Sequence, residues 1–230
     1  MLRLDIGDGN WQTQVAGFIS INVINLLKVP TLTFHDRIEG VSSASSDEKS
    51  ATQQPAQDAL AAAVLEMERH VATAGWDGPV RVFALVRTAQ AIETDPNITS
   101  ILTPDVVTRA KFDPHHLTSI EQEDLPAAQS LGELLARLAW PDAVDGVALV
   151  TERIVVPPEA EEDLPDNPDA ATEALLTHPQ RQDMRMAVGV LRSGESWCAI
   201  RLKIADDDAS VAQGSDLVPE LVSALLTTFE

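Results

Sequence analysis

The chain contains no tyrosine, a single cysteine and only 4% aromatic residues among its 230. With so few rings available, a core has to be assembled from Ala, Val, Leu and Ile. The lone Cys198 excludes an intramolecular disulfide. Basic residues are also scarce: 16 Lys and Arg stand against 36 Asp and Glu, a net charge of −20. Binding to a phosphate backbone requires clustered cations, so nucleic acid is excluded as an expected partner. An anionic membrane surface is disfavoured for the same reason. A basic protein partner, or plain solubility, fits this charge.

Motifs of common chemistries are missing as well. The sequence has no GxGxxG, no GxxxxGK[ST], no GxSxG and no HExxH, so dinucleotide, P-loop, hydrolase and zincin readings lose their main support. No catalytic residue, cofactor or metal site is expected. Asp113, His115, His116 and Glu121 have ligand chemistry, but adjacent histidines splay apart on a strand or helix. Asp206, Asp207 and Asp208 lack the spacing and the glycine of a calcium loop.

The clearest element is the stretch 183–204, DMRMAVGVLRSGESWCAIRLKI. Two period-two alternations flank Arg192-Ser193-Gly194, which predicts a hairpin. A three-residue loop places Val188 opposite Cys198, Met186 opposite Ile200 and Met184 opposite Leu202, so like faces meet. It also puts Gly194 third, where such loops need a left-handed residue. The second face then carries Arg185, Ala187, Gly189, Trp197, Ala199, Arg201 and Lys203. A helix or solvent covers this face, with its arginines paired to carboxylates, or it forms a shallow cationic site floored by small residues. Glu152 shares a strand face with Ala148, Val150, Ile154 and Val156, so it needs a partner, and Arg185 or Arg201 is the obvious one. The candidate binding residues are therefore Glu152, Arg185, Trp197 and Arg201.

Residues 1–40 hold one alanine, against 29 in residues 41–230. They read as a leader outside the working domain, compatible even with a start at Val41. The apolar run 15–27 is interrupted by Ser20, Asn22 and Asn25 and is too short to span a bilayer. Residues 42–57 form a Ser/Gln-rich linker, expected to be disordered together with the leader. The working domain is expected over 58–230.

Asp58 caps a predicted helix at 59–74, with Leu60, Val64, Met67 and Val71 at helical spacing and Gly75 as terminator. A central strand follows at 80–86, then a short helix at 88–94. Residues 97–126 read as irregular, with one short helix. Ser130 and Glu133 form a capping box for a helix at 131–139. A strand is predicted at 147–156, a solvated acidic loop at 159–169, a short helix at 170–177 and a C-terminal helix from about Asp216. The fold class is α+β, a single domain with a mostly antiparallel sheet of four to five strands packed by helices.

Several blocks carry a resemblance: WDGPVRVFALVRTA (76–89), LTSIEQEDLP (117–126), LGELLARLAWPDAVDGVALVTERIVVPP (131–158), HPQRQDMRMAVGVLRSG (178–194) and DLVPELVSALLTTF (216–229). Together they resemble an uncharacterised actinobacterial protein family over residues 58–230. The resemblance implies a bacterial cytoplasmic protein and carries over no activity, cofactor or catalytic residue. The expected function is a non-catalytic protein-interaction module, adaptor or chaperone-like, with a protein partner. The alternative is a small-anion-binding protein or enzyme using the cationic face of the hairpin.

Overall fold

A computed structural model of the chain describes residues 47–157, 160, 164–165 and 167–230. The expectations for residues 1–46, and for most of the acidic stretch 158–166, lie outside the described residues.

Helix α1 spans Asp47–Ala72. Strand β1 is Arg81–Arg87, followed at once by α2, Thr88–Thr94. A 3-10 turn at Pro96–Ser100 leads to α3, Pro104–Phe112, and then to β2, Leu117–Gln122. Helix α4 is Leu131–Leu135 and β3 is Gly146–Val155. Helix α5, Pro168–Thr177, precedes the hairpin of β4, Gln182–Leu191, and β5, Ser196–Leu202. The chain closes with β6, Ala212–Gly214, and α6, Pro219–Leu226.

The strands form one six-stranded sheet in the order β2-β1-β3-β4-β5-β6, and every neighbouring pair is antiparallel. The architecture is α+β, with two strands more or one more than the four to five expected. The additional strands are the two edges. In β2, Leu117 and Ile120 stand three apart and so face opposite sides of the sheet, which erases the period-two signal. Strand β6 is three residues long and carries no pattern of its own.

The hairpin register is as the sequence predicts: Met184 faces Leu202, Met186 faces Ile200 and Val188 faces Cys198. Leu191 N donates to Glu195 O, which closes a loop of Arg192, Ser193 and Gly194. Gly194 has φ 103°, the left-handed value that third position requires.

Each face of the sheet packs a separate apolar layer. On one face α1 lays Leu60, Val64, Met67 and Val71 over Phe83, Leu85, Ala148, Val150, Ala187 and Ala199, all buried. Burying each large side chain of the helix contributes about 1.5–3 kcal/mol, so α1 is held mainly by this stripe. A Cβ at Gly189 would lie 2.7 Å from Val64 Cγ2 and 3.0 Å from Leu60 Cδ1. The small residues of this face therefore exist to admit a helix at close range. On the opposite face Val82, Val147, Leu149, Met186, Val188, Val190 and Cys198 pack against α4 and α6 through Leu131, Leu134, Leu135 and Leu225.

Helices α1 and α4 differ from their expected bounds, and residues 97–126 hold strand β2 in addition to the one short α-helix expected there. Helix α1 begins at Asp47, not after a cap at Asp58, and Ala56 is already buried in the core. Asp58 lies inside the helix, where its Oδ1 accepts from Gln54 Nε2 at 2.9 Å. Residues 97–126 hold α3 and β2 as well as turns. Helix α4 keeps its predicted cap, with Ser130 Oγ accepting from Glu133 N at 3.1 Å, but ends at Leu135 instead of residue 139.

Candidate functional site

The candidate residues divide between two places. Glu152, Arg185 and Arg201 lie together at one end of the hairpin. Trp197 pairs with Gly189 on the same face, while Glu152 pairs with Arg185. Four residues of β4 separate the two positions, roughly 13 Å at strand rise. Trp197 is packed against the α1 layer and does not join the charged group. The indole in that group is Trp76, from the turn after α1. The Arg185 guanidinium lies 4.4 Å from the Trp76 ring centre, within cation–π range.

Helix α1 inserts a carboxylate into this end of its apolar stripe. Glu68 is fully buried and forms a bidentate pair with Arg201, Nε to Oε1 and Nη2 to Oε2 both at 2.7 Å. Arg201 Nη2 also donates to Asp208 Oδ1 at 2.6 Å, and Nη1 to Asp206 Oδ1 at 3.4 Å. The hydrogen bond to Glu68 is the largest influence on the Arg201 guanidinium, and with Asp208 it outweighs burial and holds the pKa above the usual arginine value.

Arg185 is fully buried as well. It donates to Glu152 Oε1 from Nη2 at 2.7 Å and from Nε at 3.1 Å, and to the carbonyl of Gly75. Its Nη1 lies 3.9 Å from Glu68 Oε1, an ionic contact without a hydrogen bond. Glu152 Oε2 accepts from Asp77 N at 2.6 Å, and Trp76 Nε1 donates to Asp206 Oδ2 at 2.8 Å. Lys203 reaches Asp183 at 3.3 Å and Asp77 at 3.7 Å from the rim.

The charges thus alternate: Asp208, Arg201, Glu68, Arg185, Glu152. They tie α1, the turn at 75–77, β3, the hairpin and the segment 206–208 to one point. Buried guanidinium groups are tolerated only when paired in this way. Chemically the cluster is a set of neutralised cations under a helix, a clamp that fixes the relative placement of the segments it joins.

Sequence reasoning missed Glu68, Trp76, Asp206 and Asp208. Glu68 had a signal: it stands four residues after Val64, on the apolar stripe of α1. The others reach the site only through the fold.

The remaining polar candidates are spread out. Asp113 Oδ1 accepts from His115 N at 2.8 Å, and Glu121 pairs with Arg81 at 3.6 Å. His116 Nδ1 contacts Thr88 Oγ1 at 2.8 Å, and burial, foremost, lowers its pKa below the usual histidine value. Asp207 caps the turn at Asp208–Ser210 by accepting from Ala209 N, Ser210 N and Ser210 Oγ. Cys198 is buried on the α6 side, and desolvation raises its thiol pKa. No helix among the described residues is long and apolar enough to cross a membrane.

Sheet, helices and clamp define an antiparallel α+β protein whose charged residues converge on its own chain. The chain belongs to the PPA1309-like protein family, whose model matches residues 60–230. No curated protein and no solved structure matches the chain.

Proposed function

We propose that the protein is a non-catalytic protein-interaction module, adaptor or chaperone-like, working in the cytoplasm of an actinobacterial cell. One observation carries this reading. The cations that would serve a small anion, Arg185 and Arg201, are 0% and 2% exposed and are paired with Glu152 and Glu68 beneath α1. An anion site needs cations facing an opening, whereas this arrangement spends them on holding the fold. The net charge of −20 supports a partner that is basic where it makes contact.

Purification of the untagged protein from its native cells under gentle conditions tests the reading. A stoichiometric protein partner is the expected outcome. A retained small anion, lost in Arg185→Met, would overturn it.

A further inference from the structure

Resting on the interaction-module reading, we propose that the β2 edge of the sheet is the docking surface, and that its occupant is an extended, lysine- or arginine-rich segment of a partner protein added as a seventh strand.

The backbone geometry comes first. Thr88 N donates to His116 O at 2.9 Å, directly beyond the β1–β2 ladder. The register runs without interruption from Arg87–Leu117 to Val82–Gln122. In an antiparallel pair, hydrogen-bonded and non-bonded positions alternate. Thr118, Ile120 and Gln122 therefore turn their N–H and C=O groups toward β1. Leu117, Ser119 and Glu121 turn theirs away from the sheet. Strand β2 is the end of the strand order, and among the described residues no backbone bond meets these outward groups. Such a row is a template for strand addition.

The edge is also chemically selective. Sheet edges are often blunted by charged side chains or proline; the charges on β2 and its exit are all acidic, Glu121, which pairs with Arg81 at 3.6 Å, then Glu123 and Asp124. On the face of Ile120 an open groove of ≈ 410 Å³ adjoins the edge, lined by Val86, Ala91, Ile98 and Ile101 beside Asp95 and the 3.6 Å ion pair of Asp145 with Arg87. Ile101 is 49% exposed there. An added strand would send alternate side chains to each face. Apolar ones on the groove side and basic ones near Glu121 match what the edge presents. A second copy of this chain would bring a second net charge of −20 to the same edge, which opposes self-pairing.

The experiment uses the full chain and the peptide acetyl-Lys-Val-Lys-Val-Lys-Val-Lys-amide, with two analogues N-methylated on all valines or on all central lysines. In a strand these two sets of N–H groups point to opposite sides. The parent peptide is expected to bind, one analogue to bind like the parent, and the other to lose about tenfold or more. Ser119→Pro removes an outward N–H and leaves the β1 ladder intact, so it is expected to weaken the parent peptide comparably. Should Ser119→Pro not fold, the two analogues decide alone. Equal binding by all three peptides means electrostatic adhesion and overturns the proposal, as does loss in both analogues or absence of binding. Dimerisation of the protein abolished by Ser119→Pro would assign the edge to a second copy and also overturn it. A natural partner that co-purifies undiminished with Ser119→Pro overturns the edge as the site while leaving the interaction module standing.

Discussion

Glu68 on α1 and Arg201 on β5, 133 residues apart, meet through two 2.7 Å hydrogen bonds with neither side chain more than 3% exposed. This pair ties α1 to β5 at the charged end of the layer, as Leu60 and Val64 packed over Gly189 tie it at the other. Removing the Glu68 charge leaves the buried guanidinium groups of Arg201 and Arg185 facing one neutral side chain between them. Glu68→Gln is therefore expected to cost about 3–5 kcal/mol, read as a lowered midpoint in urea. The double variant Glu68→Met with Arg201→Met should recover most of that loss, since apolar replacement of a buried pair is often neutral. A double variant no more stable than Glu68→Gln would show that Asp206 and Asp208 depend on Arg201.

Glu152 occupies the outer end of the same chain of charges, with its side chain 20% exposed. Neutralising it leaves buried Arg185 with the Glu68 carboxylate still 3.9 Å away, and the amide of a glutamine in its place can keep accepting a hydrogen bond from Arg185. Glu152→Gln should cost less than Glu68→Gln, about 1–3 kcal/mol, and leave partner binding unchanged. Thermal melting combined with a binding assay separates the two effects. Lost binding at intact stability would assign Glu152 to a ligand.

Gly189 supports α1 by having no side chain. Its Cβ would meet Val64 Cγ2 at 2.7 Å and Leu60 Cδ1 at 3.0 Å. Gly189→Ala is expected to destabilise by about 1–3 kcal/mol through overpacking, although alanine suits a strand better than glycine does. Adding Val64→Ala should relieve part of the cost, and a double-mutant cycle would measure that coupling.

How much of this was legible in the sequence follows from where each signal resides. The hairpin register was legible because Met186, Val188, Cys198 and Ile200 must share a buried face, and Gly194 permits one loop length. The sheet class followed from strands closed by that hairpin. Partners in the clamp were only half legible. Glu152 demanded a cation and Arg185 was among the candidates, but choosing it over Arg201 required the β3–β4 register. Trp197 was placed with Glu152 because both share a face of the sheet, and distance along the strand separates them. Edge strand β2 stayed hidden because it buries Leu117 and Ile120 on opposite faces, which leaves nothing to alternate.

Asp77 adopts φ 66°, a left-handed conformation in a residue other than glycine. Its backbone N–H is held by Glu152 Oε2, and this bond fixes the turn. Asp77→Gly should remain within about 1 kcal/mol of the parent, because glycine reaches this region without a steric penalty. Asp77→Val should be clearly less stable, since its branched Cβ opposes a positive φ. Equal melting temperatures for the two variants would mean that the turn relaxes.

Cys198 is buried on the α6 side, with its thiol pKa raised by desolvation. It should react with a maleimide only as fast as the protein opens, and rapidly once unfolded in urea. Rapid labelling of the folded protein would place an opening between α6 and the hairpin.

His116 links stability to pH in the physiological range. Burial is the largest influence on it and lowers its pKa; Arg109 acts in the same direction, and Asp113 and Glu66 oppose them. Its Nδ1 is engaged by Thr88 Oγ1, which also contacts Thr118 Oγ1 at 2.7 Å, so the ring is fixed where α2 and β2 begin. With a folded pKa below the unfolded one, the unfolded chain binds more protons within the window between them. The contribution of neutral His116 is fully present above the unfolded value of about 6.5 and is lost as pH falls through the folded pKa. Melting temperature should therefore drop on going from about pH 7.5 to about pH 5, and drop less in His116→Asn. Carboxylates that titrate lower on the scale are common to both proteins, so the difference between the two curves isolates the histidine. Parallel curves would show that the ring titrates as it does in solvent.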